Sequence, residues 1–213
     1  MAKSVPNDIH QYSLLSAYTA GLNTGGPPTA FLAQQGTHGL GLCEDEGEDM
    51  ILLDSEAYSF AASGSATLME EDEQVPFVMV TAFAPQQKAR LPKGNTRKKV
   101  KEGLERGKNT PMPFRIVGRF AYISTKQETY WDVRGTIFGF YLPSWQRDIS
   151  GEGIQCCYLS EDRERGGRVA DFETGEASLL EWARCGRFHL GFPQDEEFQQ
   201  VRLRRASVSC GDS

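Results

Sequence analysis

GIQCCYLSEDRERGGRVADF, residues Gly153–Phe172, has the pattern of two strands folded back on each other. Ile154–Leu159 is apolar and rich in β-forming residues, and SEDRER is polar. Gly166-Gly167 supplies a turn, and Arg168–Phe172 returns. Side chains alternate across a strand, so Gln155 and Cys157 share a face, and Glu161 and Arg163 extend it if the strand runs on. Pairing of Arg163 with Arg168 across the loop puts Arg168 on that same face, and a slip of one residue reverses it. The expectation is a hairpin with one polar face.

Outward from this hairpin, the preceding segments Phe114–Ser124 (FRIVGRFAYIS) and Val133–Leu142 (VRGTIFGFYL) are predicted strands, separated by STKQETYWD. On the other side, Glu176–Cys185 reads as a helix closed by Gly186, and Phe188–Phe198 as a strand and turn. Towards the N-terminus, Asn95–Arg106 is a basic helix, Pro76–Phe83 (PFVMVTAF) a firm strand and Ala66–Leu68 a weak one. Thr29 to about Gln35 is a short helix before Gly36, and Asp8 is expected to cap a helix through Leu14, Leu15 and Tyr18, closed by Gly21.

Several of these segments together resemble the α-acetolactate decarboxylases. That family's hairpin runs roughly G-Y-H-x-H-F-x-S-E-D-R-x-x-G-G-H-V-x-D-F, and the chain keeps SEDR and GG in frame. PFVMVT, RIVGRF, YSLLSAYTAGL, GTHGLGLC and EGEDMILLDSEAYSF also match family motifs in order, from about residue 9 to 200. The resemblance implies an α+β fold, with a mixed β-sheet in the N-terminal half (1–112) and a β-barrel-like C-terminal half (113–213). The two would form one compact unit, with a pocket between them and a homodimeric assembly. It also implies zinc held by three hairpin histidines. Those positions fall here on Gln155, Cys157 and Arg168, so every ligand is replaced. The family's acidic pocket residue falls on Asp49 with Glu48 beside it, and a pocket threonine falls on Leu42. The proline-rich loop that carries the family's catalytic arginine is shortened to STKQETYWD, and that arginine maps onto no residue.

Arginine stays protonated and has no lone pair to give a metal, glutamine is a poor zinc ligand, and one cysteine does not suffice. The expected metal set is therefore none, and no cofactor is called for. Arg168 puts a fixed cation where zinc's charge would stand. With Gln155, Asp49 and Glu48 it can polarise a carbonyl or stabilise an enolate, with Asp49 or Glu161 moving a proton. The alternative is that Arg168 only pairs with Asp49 or Glu161. Cys157 beside Arg168 is either an activated thiol or a small residue filling a vacated position. Leu42, Tyr58, Phe138, Phe140, Tyr122 and Trp131 point to a more apolar and aromatic cavity than the family's.

A chain of 213 residues with a net charge of −6 has length for a core and argues against nucleic acid as a partner. MAKSVPNDIH has no apolar leader pattern, no run reaches membrane length, and the odd count of five cysteines fits a reducing compartment, so a cytoplasmic protein is expected. The histidines His10, His38 and His189 are far apart in sequence, with only His38 placed to approach the pocket. The functional expectation is a metal-independent lyase, isomerase or cyclase, a pericyclase included, acting on a hydrophobic ketone-bearing small molecule of secondary metabolism. The competing expectations are a catalytically silent binding or scaffold protein and a zinc-dependent decarboxylase with unusual ligands.

Overall fold

The computed structural model describes residues 6–44, 48–105 and 109–203. In chain order the elements are β1 (Ile9–Tyr12), α1 (Leu15–Thr19), α2 (Thr29–Gln35), β2 (His38–Leu42), β3 (Asp49–Leu53), β4 (Glu56–Phe60), β5 (Ala66–Leu68), β6 (Phe77–Thr81) and β7 (Gln87–Leu91). Then come α3 (Arg97–Leu104), β8 (Met112–Thr125), β9 (Thr129–Leu142), β10 (Gly153–Ser160), β11 (Gly166–Thr174), β12 (Ser178–Trp182), β13 (Phe188–Gly191) and α4 (Glu196–Gln200). The strands form two sheets. One has the order β13-β1-β6-β2-β3-β4-β5, and the other β11-β10-β9-β8-β12-β7. A further pairing of β11 with β8 closes β8 to β11 into a four-stranded barrel.

Burial follows the two-residue period of the strands. In β3, Ile51 and Leu53 pack towards the barrel with Leu40, Met79, Phe138 and Phe140, whereas Met50 and Leu52 face away, against Leu32 of α2. β6 is buried throughout, which is why its sequence is a continuous apolar run. The barrel interior is filled by Phe114, Ile116, Phe120, Ile137, Tyr158 and Phe172, and α3 closes one end with Val100 and Leu104. The mixed sheet and the barrel thus share one apolar layer, to which both contribute.

Three local expectations are corrected. Residues 9–12 form a strand, because Ile9 and Gln11 find backbone partners on both sides, in β6 and in parallel β13. Asp8 therefore caps no helix: its carboxylate lies 3.4 Å from His189 Nε2, and α1 starts at Leu15 without a side-chain cap. Glu176–Cys185 contains β12 rather than a helix. Ser178, Leu180 and Trp182 share one face, and the strand bridges β7 and β8, so pairing outweighs the helix preference of its Leu and Glu residues. In the hairpin, β10 ends at Ser160 and Gly166-Gly167 already belongs to β11. The turn is residues 161–165, with Arg163 in the left-handed region (φ 62°), and Arg168 pairs with Cys157 rather than with Arg163. Residues 157 and 163 have the same parity, so Arg168 still lies on the face of Gln155 and Cys157. Of the basic segment Asn95–Arg106, Arg106 lies outside the described residues. No helix among the described residues is long and apolar enough to cross a membrane.

Candidate active site

Asp49 opens β3 on the same face as Ile51 and Leu53, and this parity aims its carboxylate at the barrel. It is fully buried, between Leu42 on β2 and Phe60 on β4. A carboxylate buried this deeply needs charged partners, and two reach it. Arg168 Nη1 donates to Oδ1 at 3.1 Å, and Lys126 Nζ donates to Oδ2 at 3.2 Å. Arg168 Nη2 also donates to Gln155 Oε1, and Gln155 Nε2 in turn donates to the Glu152 carbonyl at 2.7 Å. One anion thus sits between two cations, which leaves a local surplus of one positive charge.

Lys126 is the residue that sequence reasoning missed. It lies in the short turn between β8 and β9, where no periodicity marks a functional side chain. Its backbone N–H donates to the Arg168 carbonyl at 3.0 Å, which fixes the turn against β11 and carries the ammonium to Asp49. The segment STKQETYWD therefore delivers a cation to Asp49. The side chain of Lys126 is 53% exposed and that of Arg168 26%, so both are reached by solvent. The half-buried Leu15, Tyr18 and Leu42 pack on the same inter-sheet core, and Leu15 and Gln155 both lie beside Gly151.

The remaining candidates separate. Glu48 lines a depression with Cys43, Glu44 and Glu73 on the far face of the first sheet. Glu161 is exposed in the hairpin turn, in a cleft of about 310 Å³ with Arg119, Arg134 and Arg163. Tyr58 is buried on the barrel side, but its hydroxyl donates to Glu56 at 2.9 Å and Arg163 stacks over its ring. Phe138 and Phe140 are core. Trp131, expected in the cavity, is 71% exposed and packs on Tyr122, whose hydroxyl donates to Asp171. Cys157 is fully buried, and burial, with Asp49 adding to it, pushes its thiol well above the ordinary range. It is a packed thiol, not a nucleophile.

His38 does not approach Asp49. The antiparallel register sets His38 opposite Leu53 and Leu42 opposite Asp49, at the two ends of the β2–β3 pair. His38 instead joins Arg115 (Nη1 to Nε2, 3.4 Å), Asp54 and Phe138. Burial, assisted by Arg115, pushes its pKa down to about 4. His10 and His189 meet across the parallel β1–β13 pair with ring centroids 4.5 Å apart.

A zinc ion does not fit this donor set. Arg168 and Lys126 are cations, Gln155 Oε1 already accepts from Arg168, and the Cys157 thiol is held protonated. No group of three or more His, Cys, Asp or Glu among the described residues is arranged to hold a metal.

The family model for alpha-acetolactate decarboxylase matches residues 9–130 and 124–205. An alpha-acetolactate decarboxylase of Klebsiella aerogenes is 25% identical over 98% of this chain and 89% of its own length. One of Streptococcus thermophilus is 28% identical over 89% of this chain and 90% of its own. The crystal structure of the Bacillus subtilis enzyme superposes with a TM-score of 0.86 at 22% identity, covering 93% of this chain and 94% of that one, and so shares the mixed sheet and the barrel. With the matched segments spanning nearly every element described above, the chain belongs to the alpha-acetolactate decarboxylase family.

Proposed function

We propose that this chain is a metal-independent lyase or isomerase acting on a ketone-bearing, largely apolar small molecule. The observation that carries the reading is the Arg168–Asp49–Lys126 cluster, in which Arg168 stands at one of the three positions where the family resemblance implies a zinc ligand. In the relatives named above the activity is that of a decarboxylase. Here Asp49 has both oxygens engaged and serves as the anchor of two cations rather than as a proton carrier. Arg168 offers its guanidinium to a carbonyl oxygen, and Lys126 stands beside it as the exposed acid.

The chemistry follows from where charge develops. When the bond from the carbon next to the ketone to a carboxylate carbon breaks, carbon dioxide leaves, the electron pair moves into the C–C–O unit and the oxygen becomes an enolate. A fixed guanidinium stabilises that oxygen without reorganising, the same service a metal renders. Lys126 then gives a proton to carbon and recovers it from water. Leu42 lies opposite Asp49, and with Leu15 and Tyr18 it packs half-buried on the inter-sheet core, apolar surface that favours an alkyl or aryl ketone over a small polar one.

The test is turnover of a series of 2-hydroxy-2-alkyl-3-oxo acids and of the corresponding neutral ketones, with chelator present throughout. Turnover that survives chelation and falls at least 100-fold in both Arg168→Gln and Lys126→Gln supports the reading. Activity that appears only with added zinc returns the chain to its relatives' mode. Saturable binding without turnover supports the silent-binding alternative, for which the specific observation is that Asp49 and Gln155 already engage the Arg168 guanidinium.

A further inference from the structure

We infer that the cleft beneath α3 is a second binding site, for a single-chain aliphatic carboxylate. β12 and β7 extend the barrel sheet beyond β8, and their cross-strand pairs put Leu180 opposite Ala89 and Trp182 opposite Gln87. These residues face α3, while Glu181 and Lys88 project from the other side and pair there at 2.7 Å. α3 covers this surface only in part, and the space left open is about 650 Å³. That lies within the range of small-molecule sites, roughly 300–1,000 Å³.

The lining has two chemistries. Its floor is Leu91, Val100, Leu104, Met112 and Leu180, all buried residues of the barrel core. At its rim stand Lys99 and Arg184, and no lining residue among those described is acidic. Among the described residues neither cation has a carboxylate partner. Lys99 reaches only the Gly94 carbonyl at 3.5 Å. In a chain of net charge −6, an acid-free cleft with two unneutralised cations is selective for an anion. The apolar floor asks that the anion carry a hydrocarbon chain. Gly103 on α3 keeps the cleft open, since a Cβ built there meets nothing within 4 Å. This site is separate from the Asp49 cluster and does not depend on the activity proposed for it.

The experiment uses the fluorescence of Trp182, with Trp182→Phe as the control for Trp131 and Trp145. The intact protein is titrated with hexanoate, octanoate, decanoate and 1-decanol, below their aggregation limits. Saturable binding of the acids is expected, about fourfold tighter per added CH₂ until the cleft is filled. Decanol should bind at least tenfold more weakly than decanoate. Lys99→Ala with Arg184→Ala should erase that difference, and Gly103→Leu should block acid and alcohol alike while leaving the unfolding midpoint in place. Equal affinity for decanoate and decanol, or no saturation below millimolar acid, overturns the proposal. So does a dimer in light scattering that Gly103→Leu dissociates, because a second copy then covers the cleft.

Discussion

Asp49 is where the electrostatics of the chain concentrate. Its carboxylate is buried, so removing either cation exposes an energetic difference that surface pairs lack. Arg168→Leu leaves Lys126 as the only charged partner and should lower stability by about 1–3 kcal/mol, read as a fall in the urea midpoint. Combined with Asp49→Asn, the loss should be smaller than the two single losses added together, and strict additivity in that cycle would dissolve the pair as a unit. His38 makes a second prediction. Its pKa is about 4 folded, against the ordinary 6.5, because burial and Arg115 disfavour the imidazolium despite Asp54 and Glu181. The unfolded chain therefore takes up the proton first. Stability should be complete above pH 6.5 and fall as pH drops towards 4, by about 3 kcal/mol in total. His38→Gln should flatten that part of the profile. Of the cluster, Gln155 and Arg168 were legible through strand alternation and frame, and Asp49 through motif position. Lys126 was not, because its reach depends on how a turn packs against β11.

At the scale of elements, the hairpin is held by close backbone approach rather than by its polar face. Gly166 pairs with Leu159 on β10, and its N–H donates to the Gly64 carbonyl in the turn between β4 and β5. A Cβ at Gly166 would stand 2.2 Å from the Tyr158 carbonyl oxygen and 2.4 Å from the Phe60 ring. Gly166→Ala should thus loosen the junction of sheet and barrel and cost at least about 1–3 kcal/mol, with near-ultraviolet dichroism reporting the altered aromatic packing. The same residue explains one misreading. Gly166-Gly167 reads in the sequence as a turn because glycine pairs usually mark turns, whereas here the missing side chains admit Phe60 and Gln127 against a strand. β12 was misread for the opposite reason, as its helix-forming residues are overruled by partners on both edges, in β7 and β8. α2, β6, β8 and β9 were legible because their periodicity and their partners agree.

For the molecule as a whole, the family frame predicts a metalloprotein and the donor set predicts otherwise. Neither a chelator nor equimolar zinc should shift the thermal midpoint, since a ligand bound a thousandfold above its Kd would add about 4 kcal/mol of stability. A rise of several degrees with zinc would overturn the assignment of Arg168 as its replacement. The order of fold and sequence matches closely for the barrel, and least for the first sheet, whose strand β1 lies between β6 and the distant β13. That placement has a consequence for biogenesis. A ribosome makes β1 and β6 early, yet the parallel partner of β1 begins only at Phe188, so one flank of the growing sheet stays unpaired through most of translation. A nascent chain halted before that point carries a bare β1 edge and should aggregate or recruit chaperones, whereas synthesis past Gly191 lets the short β13 cover that edge.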